Sequence, residues 1–94
     1  MIQRQLHIQN RLGLHARAAA KLVHLANRFQ ASVRLKRDSQ EVNGKSILGI
    51  LLLAAGQGSR LELTCDGDDE QQATDAIVTL VDNRFDEEPP GPPA

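Results

Sequence analysis

The chain has no tryptophan or tyrosine and only two phenylalanines, Phe29 and Phe85. So few aromatics argue against stacking on bases, and single-stranded nucleic acid is a poor match as a partner. A lone Cys65 cannot form an internal disulfide, which fits a reducing cytoplasm, and in an alternating strand it reads as a small core residue. The longest apolar stretch, Ile47 to Ala55, is far too short to span a bilayer, so no membrane insertion is expected. Met1 leads straight into an alternating pattern with no apolar h-region, so no secretory leader is expected either. Acids are nearly missing from the first half: residues 1–45 hold nine of the eleven Lys and Arg but only Asp38 and Glu41, while residues 46–94 hold ten acids. That asymmetry suits a phosphate or an acidic protein partner for the first half. All four prolines lie in the last six residues. The tail 86–94, with three acids and nothing to bury, is expected to be disordered, which leaves one domain over 1–85.

What is present is organised around Asn10–Ala20, N-R-L-G-L-H-A-R-A-A-A. Asn10 and Gly13 are turn formers. His15 then stands at the mouth of a helix that opens Ala16-Arg17-Ala18. The first N–H groups of a helix have no partner inside it, and the macrodipole points its positive end there. That end opposes an imidazolium and favours a neutral, nucleophilic ring. The same N–H groups, those of Ala16 and Arg17, would receive an anion bonded to the ring, and the Arg17 guanidinium could clamp it. The chemistry suggested is a phosphoryl group carried on His15.

The periodicity predicts β-α-β-β-α-β-α. Strand 1 runs from Ile2 to Ile8, with Ile2, Leu6 and Ile8 inward. Helix 1 runs from Ala16 to about Arg28. Its buried arc holds Ala19, Leu22, Val23, Leu25, Ala26 and Phe29, and its outer stripe holds Arg17, Lys21, His24 and Arg28. Strands follow at Ser32–Arg37, Gln40–Asn43 and Arg60–Asp66, with Val33, Leu35, Val42, Leu61, Leu63 and Cys65 inward. Ser46 is placed to cap a helix from Ile47 to about Ala54, ended by Gly56 and Gly58. Asp68 or Asp69 caps the last helix, where Asp69-x-x-Gln72 has the form of a capping box; its buried stripe is Ala73, Ala76, Ile77, Leu80 and Val81, ending near Phe85. This makes an α+β domain, a four-stranded antiparallel sheet covered on one face by three helices.

The second helix is apolar on all sides, and a short helix on a small sheet buries only one of them. Ile47, Leu48, Leu51 and Leu52 are therefore candidates for an exposed docking patch, joined by Ala20, Lys21 and His24 of helix 1. Ser46 admits two readings, a plain cap or a phosphorylation site at a helix N-terminus. No metal-ligand spacing joins His7, His15 and His24.

With His15-Ala-Arg17 on one helix and Gly44-Lys45-Ser46-Ile47 opening the next, the chain resembles the HPr family of phosphocarrier proteins of bacterial phosphoenolpyruvate-dependent phosphotransferase systems. The motifs are N-x-L-G-L-H-A-R, then K-S-I-x-G, then L-A-A-x-x-G. The resemblance implies an open-faced β-sandwich and a cytoplasmic, monomeric carrier without cofactor or turnover of its own. It implies that His15 takes a phosphoryl group on Nδ1 from enzyme I and passes it to a IIA-type protein, with Arg17 beside the phosphohistidine. It also implies that Ser46 is the serine modified by an HPr kinase/phosphorylase in many bacteria. The sugar-type pattern has proline after the arginine; here Ala18 stands in its place. H-A-R-A-A-A with L-L-A-A-G-Q-G and an acidic F-D-E end is more similar to the nitrogen-type branch, NPr, which serves regulatory phosphorelays. The alternatives are a sugar-uptake HPr regulated at Ser46 and, more distantly, a ferredoxin-like regulatory binding domain. A hydrolase with His15 as general base has no nucleophile placed for it by spacing.

Overall fold

Alternation of apolar and polar residues gives each strand one face to bury, and the strands assemble accordingly in the computed structural model of the chain, which describes residues 1–86. The elements are β1 (Ile2–His7), α1 (Ala16–Ala26), β2 (Ser32–Arg37), β3 (Gln40–Asn43), α2 (Ile47–Leu52), β4 (Arg60–Asp66), α3 (Glu70–Asp82) and a 3-10 turn (Arg84–Asp86). The expected order holds, and β2, β3 and β4 keep their expected bounds. The sheet runs β1-β4-β2-β3 with every pair antiparallel. Its register stacks Leu6 on Leu61 and sets Leu63 beside Leu35, which faces Val42. All of these are buried, as is Cys65. Burial pushes the Cys65 thiol's pKa up, as for a core residue rather than a reactive one.

The helices cover one face. Helix α3 lies over β1 and β4, and α1 packs against α2 and α3. Leu22 and Ala26 of α1, Ile50 of α2, and Ala73, Ile77 and Val81 of α3 are fully buried, with Phe85 closing the end of the core. The opposite face presents Gln3, Gln5, Lys36, Glu41 and Glu62 to solvent. It is the open face of the sandwich.

Several local expectations are corrected. Helix α1 ends at Ala26 rather than near Arg28: the Arg28 and Phe29 N–H groups turn to carbonyls three residues back, Leu25 O at 3.0 Å and Ala26 O at 3.2 Å. Leu25 of α1 and Phe29 just beyond it are only half-buried, while Ala18 is fully buried. In α3 Ala76 and Leu80 are half-buried, and Thr74 is buried, its hydroxyl donating to the Glu70 carbonyl at 2.7 Å. Helix α2 stops at Leu52 without help from glycine: Ala54 takes the left-handed conformation, with φ 51°, and Gly56 does not. The freed carbonyls are capped from outside by Arg37, whose Nη1 donates to Leu53 O at 2.8 Å and Ala54 O at 3.0 Å. Asp69 sits at the cap position of α3, and its carbonyl accepts from Ala73 N at 3.0 Å, but its side chain makes no bond to that helix. Its two carboxylate oxygens accept instead from the Gln30 and Ala31 N–H groups, each at 2.8 Å, and so tie α3 to the entry of β2. Asp86, the first residue of the expected tail, belongs to the 3-10 turn; residues 87–94 lie outside the described residues.

Candidate functional site

The loop before α1 is built to hold one histidine. Asn10 is fully buried, and its amide donates to Gly13 O at 2.8 Å while Gly13 N donates back to Asn10 O at 3.1 Å. Gly13 has φ 65°, and a Cβ there would meet Ala55 O at 2.5 Å and Gly56 Cα at 2.7 Å. Glycine is required twice over, by conformation and by close approach. Leu14 N then donates to Ala55 O at 2.8 Å. The histidine loop is thereby pinned to the segment that follows α2, and the two parts of the expected site become one surface.

His15 leaves the loop in extended conformation (φ −77°, ψ 178°) and is the N-cap of α1. Its carbonyl accepts the first helical bond, from Ala19 N at 2.8 Å. Its Nδ1 accepts from Arg17 N at 3.3 Å. An acceptor Nδ1 carries a lone pair, so the proton of the neutral ring belongs to Nε2. The contact is long for a hydrogen bond, so giving up its lone pair to an incoming electrophile costs little. His15 is half-buried, while Ala16 and Arg17 are exposed at the mouth of the helix. The arrangement gives a reachable nucleophilic nitrogen aimed at backbone donors that would hold an anion once it is bound.

Arg17, Ala20, Lys21, His24 and Arg28 line one wall of an open groove of about 480 Å³ between α1 and α3. Lys21 is not simply part of an outer stripe: its Nζ donates to Phe85 O at 2.6 Å, and it is half-buried. On the other side of the loop, Ser46 caps α2, its Oγ accepting from Gly49 N at 3.1 Å. Lys45 ties the same end to α1, with Nζ donating to Phe29 O at 2.8 Å. Of the four docking candidates on α2, Leu48 and Leu52 are 68% and 59% exposed; Ile47 and Leu51 are 41% and 36% exposed. Ile50 and Leu53 turn inward. Leu12, in the histidine loop, is also exposed and was not singled out by the sequence reading. Its only sequence signal was an apolar residue inside a turn. Among the described residues there is no group of three or more His, Cys, Asp or Glu that could hold a metal ion, and no helix long and apolar enough to cross a membrane.

Fold and site together set one half-buried histidine at a helix mouth beside an exposed apolar patch, an arrangement suited to a carrier of a transferable group. The family model described as "PTS HPr component phosphorylation site" matches residues 2–83. The phosphocarrier protein HPr of Cupriavidus necator is 52% identical over 87 residues, 93% of this chain and 98% of that protein. Among solved structures, HPr-C-His from Thermoanaerobacter tengcongensis superposes with TM-score 0.91 at 40% identity, covering 95% of this chain and all of that one. An HPr dimer from the same organism matches with TM-score 0.73 at 40% identity, over 90% of this chain and 98% of that one. The chain belongs to the HPr family, the phosphocarrier components of the phosphotransferase system, and is a carrier rather than an enzyme.

Proposed function

We propose that the phosphoryl group rides on His15 Nδ1, delivered by an enzyme I-type donor and passed to a IIA-type acceptor. The observation that carries this is the Nδ1 lone pair placed at the mouth of α1, 3.3 Å from Arg17 N. In the forward step the Nδ1 lone pair attacks phosphorus. The N–P bond forms as the donor's bond to phosphorus breaks, and Nε2 keeps its proton. The phosphoryl oxygens then lie against the first N–H groups of α1, with the Arg17 guanidinium in reach. The site stabilises the phosphorylated ring without enclosing it, so the group can be handed on. Ala20, Lys21, His24, Ile47, Leu48, Leu51 and Leu52 form the face on which donor and acceptor dock in turn, and the carrier works as a cytoplasmic monomer.

The finer reading is a nitrogen-type regulatory relay, supported by Ala18 in place of proline and by the L-L-A-A-G-Q-G segment. Ser46 is a regulatory phosphorylation site in the sugar-uptake alternative and is open to the same modification here; it is half-buried, and its hydroxyl caps the α2 N-terminus beside the apolar patch. A dianion there would repel acidic partners from the patch. The test is a relay in vitro. Chain phosphorylated through phosphoenolpyruvate and enzyme I is chased with a nitrogen-type or a sugar-type IIA protein. Faster discharge to the nitrogen-type acceptor supports the branch; faster discharge to the sugar-type acceptor overturns it and leaves the carrier role standing.

A further inference from the structure

The groove beside Arg17 carries more positive charge than the described residues answer. Arg17, Lys21, His24 and Arg28 face it, with Leu80 and Asp86 on the other side. The side-chain ion pairs among the described residues lie elsewhere, at Arg34–Glu41 and at the Met1 amino group. The backbone leaves the domain at this groove. Arg84, Phe85 and Asp86 all take left-handed conformations, with φ between 55° and 59°. Phe85 is fully buried, and Lys21 holds its carbonyl at 2.6 Å. The exit of the chain is thus fixed against α1, and the next two residues in sequence are Glu87 and Glu88. They are followed by Pro89-Pro90-Gly91-Pro92-Pro93-Ala94, and the family's shared region ends at residue 83.

We propose that the groove between α1 and α3 is a docking site for this chain's own acidic tail, with Glu87 and Glu88 set against Arg17, Lys21, His24 and Arg28. Reach permits it. Asp86 already lines the groove, and Glu87 and Glu88 follow it within about 7 Å of extended chain. The tether keeps the two glutamates at high local concentration, so a few exposed ion pairs suffice to populate the contact at low salt. The four prolines offer no N–H groups to compete. The tail then acts as a tethered competitor for any acidic surface approaching Arg17. Only this kinetic consequence rests on the phosphocarrier reading; the docking itself does not.

The test compares ¹⁵N-labelled full chain with its E87Q/E88Q variant and with a chain ended at Asp86. In about 10 mM salt, where the Debye length is about 30 Å, the signals of Arg17, Lys21, His24 and Arg28 should differ between the full chain and both variants. The differences should vanish near 1 M salt. Superimposable signals at low salt, or differences that persist at high salt, overturn the proposal. A second measurement follows phosphoryl uptake from enzyme I. The glutamine variant should load roughly two- to tenfold faster at low salt and at the same rate at high salt, as expected when weak surface pairs are removed. Loading unchanged at low salt overturns the competitor role. Salt-dependent contacts in a chain whose His15 takes no label would refute the phosphocarrier reading and leave the docking intact.

Discussion

Arg37→Met should loosen the platform that presents the exposed leucines of α2. The guanidinium spans from the end of β2 to the carbonyls just past α2, donating to Leu53 O at 2.8 Å and Ala54 O at 3.0 Å. Methionine keeps the apolar stem and removes the donors. A hydrogen bond from a charged group is worth about 1.5–3 kcal/mol. One of the two bonds here is exposed, so water replaces part of it, and a net loss of about 1–2 kcal/mol follows. With a urea slope of about 1 kcal/mol/M for a domain of this size, the unfolding midpoint should fall by about 1–2 M. A companion change tests the same cap from the other side. Ala54 has φ 51°, which costs an L-residue about 1–2 kcal/mol. Glycine removes that cost and adds about 0.5–1 kcal/mol of unfolded-state entropy. Ala54→Gly should therefore stabilise by about 0.5–1 kcal/mol. Hydrogen exchange locates the effect: α2 amides should lose protection in Arg37→Met more than those of α1 or α3. A midpoint unchanged within about 0.3 M, or a loss spread evenly over the molecule, would refute the assignment of Arg37 as the cap of α2.

Asp69 predicts a pH dependence. Its carboxylate is held below the usual 3.8, first by the Gln30 N–H and then by that of Ala31. A group with a depressed folded-state pKa gives stability that is complete above the unfolded value and is lost as pH falls through the lower folded one. Stability followed from pH 6 to pH 2 should drop more steeply below about 4 in the native chain than in Asp69→Asn. Equal slopes would remove Asp69 from the account. Leu48→Ser should leave stability within about 0.5 kcal/mol, because the side chain is largely exposed. It should raise the KM for loading by enzyme I about five- to thirtyfold if the patch is the docking face; an unchanged KM would place docking elsewhere.

The regular elements were legible because their signals are local. Alternation at Ser32–Arg37 and Arg60–Asp66 names both the strands and their buried sides. The excess of leucines after Ser46 names the exposed face of α2 before any packing is known. Long-range contacts were not legible. Asp69 looks like a helix cap because the eye searches three residues ahead, whereas its partners lie 38 and 39 residues back. Gly56 and Gly58 look like terminators, but an arginine from another element lets Ala54 take that role. Lys21 reads as a free surface cation and is claimed by a carbonyl 64 residues away. At the site itself, sequence placed His15 at the helix mouth. Only the fold shows which ring nitrogen faces the helix, and that Gly13 and Leu14 bolt the histidine loop to Ala55.

That nitrogen is where the account is most exposed. The decisive measurement is ¹⁵N-edited NMR of the ring-labelled chain after incubation with enzyme I and phosphoenolpyruvate, with His15→Ala beside it. One acid-labile, alkali-stable phosphoryl group is expected, bonded to His15 Nδ1 with the proton left on Nε2, and no label in the variant. Phosphate on Nε2, or a label that survives His15→Ala, would contradict it.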